Sequence, residues 1–263
     1  MEKAVFPSNS MQFSDGDDDG SAETQLERAT EALRRLVLQG AFPVDLKLPE
    51  TRVAEMLGVS RTPARLAMAV LEQDGLLVRL PRRGFRVRSF SLGEVVEAIE
   101  VRGEVEAIAA RLVAERGLSN EHRAQMEACI GRADMILKST AFEAAQRRDW
   151  CRMNADFHDA LVSSCGVRPL RAAWAKVNLV PLASPRDIMF NVARSELNRR
   201  QLEATHDDHV RILDAIVAHA SARAASLVRE HAYRSGENKR RNFPDIETRT
   251  TVIETPGVAL VRG

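Results

Sequence analysis

From Thr24 onward the apolar positions Leu26, Ala29, Leu33, Leu36 and Val37 recur at helical intervals, and Gly40 ends the run. The stretch "AFPVDLKLPE" then reads as a short extended connection. Val53, Ala54 and Leu57 mark a second short helix that Gly58 stops. Ala64, Ala67, Met68 and Leu71 stand at i, i+3, i+4 and i+7, so a third helix is anchored along one face. Ser60 occupies its N-cap position, and Pro63 falls in the first turn, where a missing N–H has no partner to lose. After Gly75 the pattern shortens to two β-prone runs, Leu76 to Leu80 and Phe85 to Phe90. Pro81, Arg82, Arg83 and Gly84 join them, which predicts a hairpin with an arginine-rich tip.

Ser91 and Glu94 form a capping box that opens a long helix over roughly residues 91–116. Helical spacing continues to about Asn242, with breaks near Gly117–Ser119, Thr140, Gly166–Pro169, Pro181–Pro185 and His219–Ser221. Residues 1–20, with Asp15, Asp17, Asp18 and Asp19 and little to bury, are expected to be disordered. The chain from Phe243 mixes Pro, Thr and Val without helical period and is expected to be extended or mobile. The expected division is a tail over 1–20, a winged helix-turn-helix over 21–90, an all-helical domain over 91–242 and a tail over 243–263. The fold class is mainly α: an N-terminal winged helix-turn-helix followed by an all-α helical bundle.

Composition adds three constraints. A chain of 263 residues with 44% hydrophobic and 29% charged residues can build two globular cores. No apolar stretch approaches membrane-helix length, and residues 1–20 lack the basic and apolar regions of a leader, so the expected place is the cytoplasm. Cys129, Cys151 and Cys165 include no CxxC pair and read as buried thiols. The net charge of +1 conceals an asymmetry: residues 21–90 hold twelve Lys/Arg against eight Asp/Glu, leaving the remainder at −3. Positive charge is concentrated beside the third helix and the hairpin.

Within "LGVSRTPARLAMAVLEQDGLL", Arg61, Thr62 and Arg65 fall opposite the apolar stripe, with Ser60 just before them. A helix N-terminus favours phosphate, and arginine binds guanine O6 and N7 bidentately. Three helices followed by a basic hairpin therefore read as a winged helix-turn-helix whose third helix enters the major groove. An arginine-bearing solvated face also occurs on helices that bind nothing, so the weight rests on the combined order of elements. Through Leu48, Glu50, Ala54, "LGVSRTPARLAM", "LEQDGLL", Gly84 and Val87, residues 24–90 resemble the GntR family of bacterial transcription regulators. The resemblance implies DNA contacts at Ser60, Arg61, Thr62, Arg65 and Gly84, with Arg82 and Arg83 as phosphate partners. Thr51 stands where such proteins often carry a second-helix arginine, which makes neighbouring Arg52 the candidate for that contact. Leu66 stands where the family usually has a glutamate.

In the helical part, Asn154 and His158 are four residues apart, close enough on one helix face to share a metal. His209 lies beside Val210, Leu213 and Ile216, and His231 beside Leu227 and Val228. A histidine in such a place also fits a hydrogen-bonded core residue. Through "VRGEVEAIAARLVAER", "NADFHDALV", "DDHVRILDAIVAH" and "REH", residues 91–242 resemble the FCD type of effector domain in the FadR subfamily. That resemblance implies a metal held by Asn154, His158, His209 and His231, with Asn154 in place of the usual aspartate. Three neutral imidazoles with open positions suit zinc, nickel or another divalent first-row ion, and the uncharged amide of Asn154 lowers the expected affinity. Arg102, on a stripe with Val95, Ile99, Glu106, Ala109 and Val113, reads either as an ion-pair partner of Glu106 or, by the resemblance, as the cation that grips an organic acid. His206 reads as a partner of the ligand set or as a solvated side chain; His122 and His219 read as surface residues.

The expected protein is a homodimeric regulator that reads a palindromic double-stranded operator and binds a small carboxylate at a divalent metal. No nucleophile elbow, phosphate loop or positioned base accompanies the histidines, which disfavours an enzyme. A regulator answering to metal alone, and a metal-dependent hydrolase or lyase fused to a DNA-binding domain, are the alternatives.

Overall fold

In the computed structural model, which describes residues 22–81, 84–139, 143–190, 195–247 and 255–263, the chain forms two units. The expectation of disorder over residues 1–20, the hairpin tip at Arg82 and Arg83 and the break at Thr140 lie outside the described residues.

The first unit begins with α1 (Ala22–Leu38), β1 (Lys47–Leu48), α2 (Glu50–Leu57) and α3 (Arg61–Gln73). A hairpin of β2 (Leu77–Leu80) and β3 (Gly84–Val87) follows, and the antiparallel sheet runs β1-β3-β2 with Leu48 and Arg79 both opposite Phe85. Gly58 ends α2 in the left-handed region at φ 63°, and its N–H returns to the last turn. The four stripe residues of α3 are each fully buried, packed in a core with Leu33, Val37, Leu57, Phe85 and Val87. Ser60 holds the N-cap position with extended backbone, but its hydroxyl makes no capping hydrogen bond. Ser60 is thus the N-cap the sequence predicts, but without the side-chain bond that usually accompanies the position, and it is exposed.

The end of the chain departs from expectation in a second way. Helical structure runs through Phe243, which is buried, to Glu247, and the last residues are not a free tail. Pro256–Arg262 belongs to the first unit. The Gly257 N–H donates to Leu38 O at 2.7 Å, Val258–Leu260 makes a 3₁₀ turn, and β5 (Val261–Arg262) pairs in parallel with β4 (Phe90–Ser91). Leu260 and Val261 are buried. Gly40, at φ 73°, accepts this segment closely: a Cβ there would lie 2.7 Å from the Ala259 Cβ. Composition hid this docking because a two-residue strand and one turn have no period to detect.

The second unit is helical: α4 (Leu92–Arg116), α5 (Asn120–Lys138), α6 (Ala144–Ser164), α7 (Arg168–Val177), α8 (Ser195–Val217) and α9 (Ser221–Glu247). Helix α4 lies along α9 and also meets α6, α7 and α8, which is why its buried residues surround much of its circumference. Trp150, Met153, Phe157, Leu161, Ile212, Ile216 and Val228 fill the core around it. At Gly103 the backbones of α4 and α9 come close, since a Cβ there would meet the Ala232 Cβ at 2.4 Å. Among the described residues no helix is long and apolar enough to cross a membrane.

Two stability outcomes follow from these contacts. Leu260→Asp in the full chain is expected to lower the melting temperature of the first unit by several degrees, because a buried leucine contributes ~1.5–3 kcal/mol. Calorimetry checks it, and a transition superimposable on the parent's would show that the docked segment is dispensable. Gly103→Ala is expected to destabilise the second unit by ~1–3 kcal/mol through overpacking, despite alanine's better helix propensity, as urea titration can measure.

Candidate metal centre and reading helix

Helix α6 carries Asn154 and His158 one turn apart, α8 carries His209 and α9 carries His231; all four are buried. One ring nitrogen from each histidine lies within 4.8 Å of the others. The His158 Nδ1 is 2.9 Å from Glu106 Oε2, and the His231 Nδ1 is 3.2 Å from Asp208 Oδ2. A carboxylate at Nδ1 holds the proton there and leaves the Nε2 lone pair free. These two Nε2 atoms face one another at 3.3 Å. Two imidazole nitrogens bound to one tetrahedral zinc at ~2.0–2.1 Å lie about 3.3–3.4 Å apart, so the spacing fits an ion between them.

The remaining donors meet the same test. Among the described residues, both ring nitrogens of His209 and the Oδ1 of Asn154 are buried without a hydrogen-bond partner. Such groups cost ~1–3 kcal/mol each when left unsatisfied, and a shared cation would satisfy the Asn154 Oδ1 and one of the two His209 nitrogens. The Asn154 Nδ2 donates to Pro185 O at 2.7 Å, which fixes which end of the amide is spare. His209 stacks on Phe157 with centroids 4.0 Å apart, so its ring plane is set by packing. His206 is turned elsewhere, with Nε2 3.0 Å from Asp134 Oδ1.

Glu106, fully buried on α4, organises the charges around this cluster. Burial opposes its ionisation, yet the neighbouring His158 and Arg102, with hydrogen bonds from His158 and Trp174, hold its carboxyl well below the usual range. The Trp174 Nε1 donates to Oε1 at 2.7 Å, and the Arg102 Nε lies 3.4 Å from the same oxygen. Arg102 also donates through Nη1 to Ala183 O. The ion pair with Glu106 is therefore present, and Arg102 lines a cavity of about 320 Å³ besides. Asn154, Asp187, Asp208, His231 and Lys239 line the same cavity, whose size is that of a small-ligand pocket. Lys239 donates to the Asp187 backbone carbonyl; burial pushes its amine down to about 8 and the Asp187 carboxyl up to about 6.

In the first unit, Ser60, Arg61, Thr62 and Arg65 are all exposed at the N-terminal end of α3. Among the described residues neither Arg61 nor Arg65 takes an ion pair. Arg52, on α2, is 3.4 Å from Glu55 Oε2. Gly84 opens β3 at φ 85°, a conformation that a side chain would strain.

Comparison with known proteins finds two family models on this chain. The FCD domain matches residues 97–234, more than half the chain, and the model for bacterial regulatory proteins of the gntR family matches residues 25–87. The chain belongs to the FCD-domain regulators of the GntR family. This FCD regulator is 27% identical to the HTH-type transcriptional repressor GlaR of Escherichia coli K12 over 201 residues, covering 76% of this chain and 88% of GlaR. It is 28% identical to the probable D-xylose utilization operon transcriptional repressor of Paenarthrobacter nicotinovorans over 182 residues, covering 69% and 74% of the two chains. The solved structure of E. coli McbR/YncC shares its fold at a TM-score of 0.59 and 17% identity, over 83% of this chain and 98% of that one. With the gntR model on residues 25–87 and sequence relatives named as transcriptional repressors, the FCD regulator is a DNA-binding transcription regulator and not an enzyme.

Four cavity or cluster residues of the FCD regulator escaped the sequence reading in these roles: Glu106, Asp208, Asp187 and Lys239. Asp208 had a local signal, since it directly precedes His209, but its partner His231 is on another helix. Asp187 and Lys239 meet only through the tertiary fold.

Burial pushes His158 below the ordinary histidine value, against the pull of Glu106, and pushes His209 well below it. Their folded-state values lie under the unfolded one, so the stability they allow is complete above about pH 6.5 and is lost as pH falls below it. For chelator-treated protein, urea midpoints are expected to fall steadily between about pH 7 and 5. A flat profile there would mean that both rings titrate as they do in water.

Proposed function

We propose that this regulator is a homodimer that reads a palindromic operator through Ser60, Arg61, Thr62 and Arg65 on α3. In this reading Arg52 and Gly84 add further DNA contacts, and Arg82 and Arg83 hold phosphates. Two-fold symmetry sets the two α3 helices on successive half-sites. The helical unit binds a divalent ion, zinc or nickel, at Asn154, His158, His209 and His231. The ion supplies fixed positive charge toward which a small carboxylate is drawn. Arg102 grips that acid by its remaining guanidinium donors, while Glu106 and Asp208 keep His158 and His231 in the tautomer that presents Nε2. Acid binding shifts the affinity for operator by favouring one arrangement of the dimer over another. The protein acts where its operator is, in the cytoplasm.

The observation that carries the metal and effector reading is the pair of carboxylate-oriented imidazoles facing each other at 3.3 Å, beside a cavity that Arg102 lines. That cavity favours an organic effector over a signal by metal alone.

Reloading chelator-treated protein with zinc is expected to raise its melting temperature by several degrees, and His209→Ala is expected to remove both the rise and the stoichiometric metal. Parent and variant melting alike with zinc would refute the centre. A melting screen of zinc-loaded protein against sugar acids, hydroxy acids, dicarboxylates and aromatic acids then names the effector class. A ligand at a hundred times its dissociation constant adds ~2.7 kcal/mol, a gain that Arg102→Ala is expected to abolish. DNA affinity that follows zinc with no acid present would favour the metal-only regulator. For the operator, selected from random duplexes, Arg61→Ala with Arg65→Ala is expected to weaken binding at least tenfold, each bidentate contact being worth ~1–3 kcal/mol. Unchanged affinity in a fluorescence titration would end the assignment of α3.

A further inference from the structure

We infer that Leu66 reads a C5-methyl group in the major groove and so makes thymine, at one position of each half-site, a determinant of operator choice. This rests on the proposal that α3 is the reading helix. Among the described residues of the first unit, Leu66 is the one large apolar side chain left exposed, at 45%. The helix does not need it for packing, because Ala64, Ala67, Met68 and Leu71 fill its core face completely.

Position decides what the side chain can reach. At about 100° per residue, the direction opposite the buried stripe falls between Thr62 and Leu66, with Arg61 and Arg65 displaced to one side. Thr62, Leu66 and Ala69 therefore point most directly away from the body of the unit, Leu66 being the large apolar one, and Arg65 and Arg61 lie beside them on one side. Base edges in the major groove present donors, acceptors and one apolar group, the thymine methyl. Leucine can neither donate nor accept a hydrogen bond, so of these it is complementary to the methyl alone. It leaves a neighbouring donor or acceptor unpaired where another base replaces thymine. The methyl of 5-methylcytosine offers the same contact.

The test uses the full-length protein and duplexes it selects from a random pool. Each thymine of the selected site is replaced in turn by uracil, which deletes one methyl and changes nothing else in the groove. One position per half-site is expected to lose three- to fivefold in affinity with the parent, the effect of burying about one methyl group, and to lose nothing with Leu66→Ala. At that position cytosine is expected to bind worse than thymine, and 5-methylcytosine to recover part of the loss. Because Leu66 is exposed, the variant is expected to melt with the parent. Uracil tolerated everywhere, or uracil losses of equal size in parent and Leu66→Ala, would overturn the inference. Failure of α3 itself is distinguishable: it appears as full affinity in the Arg61→Ala, Arg65→Ala protein, whereas failure of Leu66 alone leaves that loss intact.

Discussion

A single buried carboxylate ties the helical unit together. Glu106 sits on α4 with no exposed surface, and its two oxygens are shared among His158 of α6, Trp174 of α7 and Arg102 of its own helix. A charge removed from water in this way is tolerable only when its lone pairs are used, and here donors from α6 and α7 use them while the Arg102 guanidinium balances the charge. Removing the carboxylate would leave a tryptophan N–H without its acceptor and a buried arginine without its counter-charge, and would release the His158 ring to either tautomer. Packing, charge balance and the readiness of the histidine cluster thus depend on one side chain.

Arg102 illustrates how the site combines roles that look exclusive in a linear sequence. Its spacing from Glu106 suggests an ion pair, and its place on an apolar stripe suggests a buried function. The guanidinium has five N–H donors in a planar fork, enough to face Glu106 and Ala183 O and still line the cavity. Lys239 and Asp187 add a second polar contact on the same cavity. The cavity wall is therefore charged where α4 and α9 contribute to it and apolar where Trp150, Ile188 and Leu202 do.

Local chemistry was legible in the sequence wherever a periodic element carried it. The α3 stripe, the glycine stop of α2, the hairpin and the Asn154–His158 spacing all follow from intervals of two to four residues. The fold class and the order of elements follow from the same intervals. Glu106 and Asp208 as carboxylates that orient histidines were not legible, because each acts across helices whose packing a single sequence does not define. The docking of Leu260 and Val261 was hidden for a related reason: its signal is one turn and a two-residue strand, too short for any period. Ser60 shows the converse, a residue of the right type at the right position whose side chain makes no cap.

The parallel pairing of Phe90 with Val261 makes the first unit discontinuous in the chain. During synthesis Phe90 emerges long before Val261, with every residue of α4 to α9 between them, so β4 waits for its neighbour until the helical unit has been made. The N-terminal part of a chain generally folds first as it leaves the ribosome, so α1 to β4 can assemble early and take up β5 only after α9 has been made. Chains interrupted within the helices carry the winged helix without β5 and without the buried Leu260 and Val261 that pack against it.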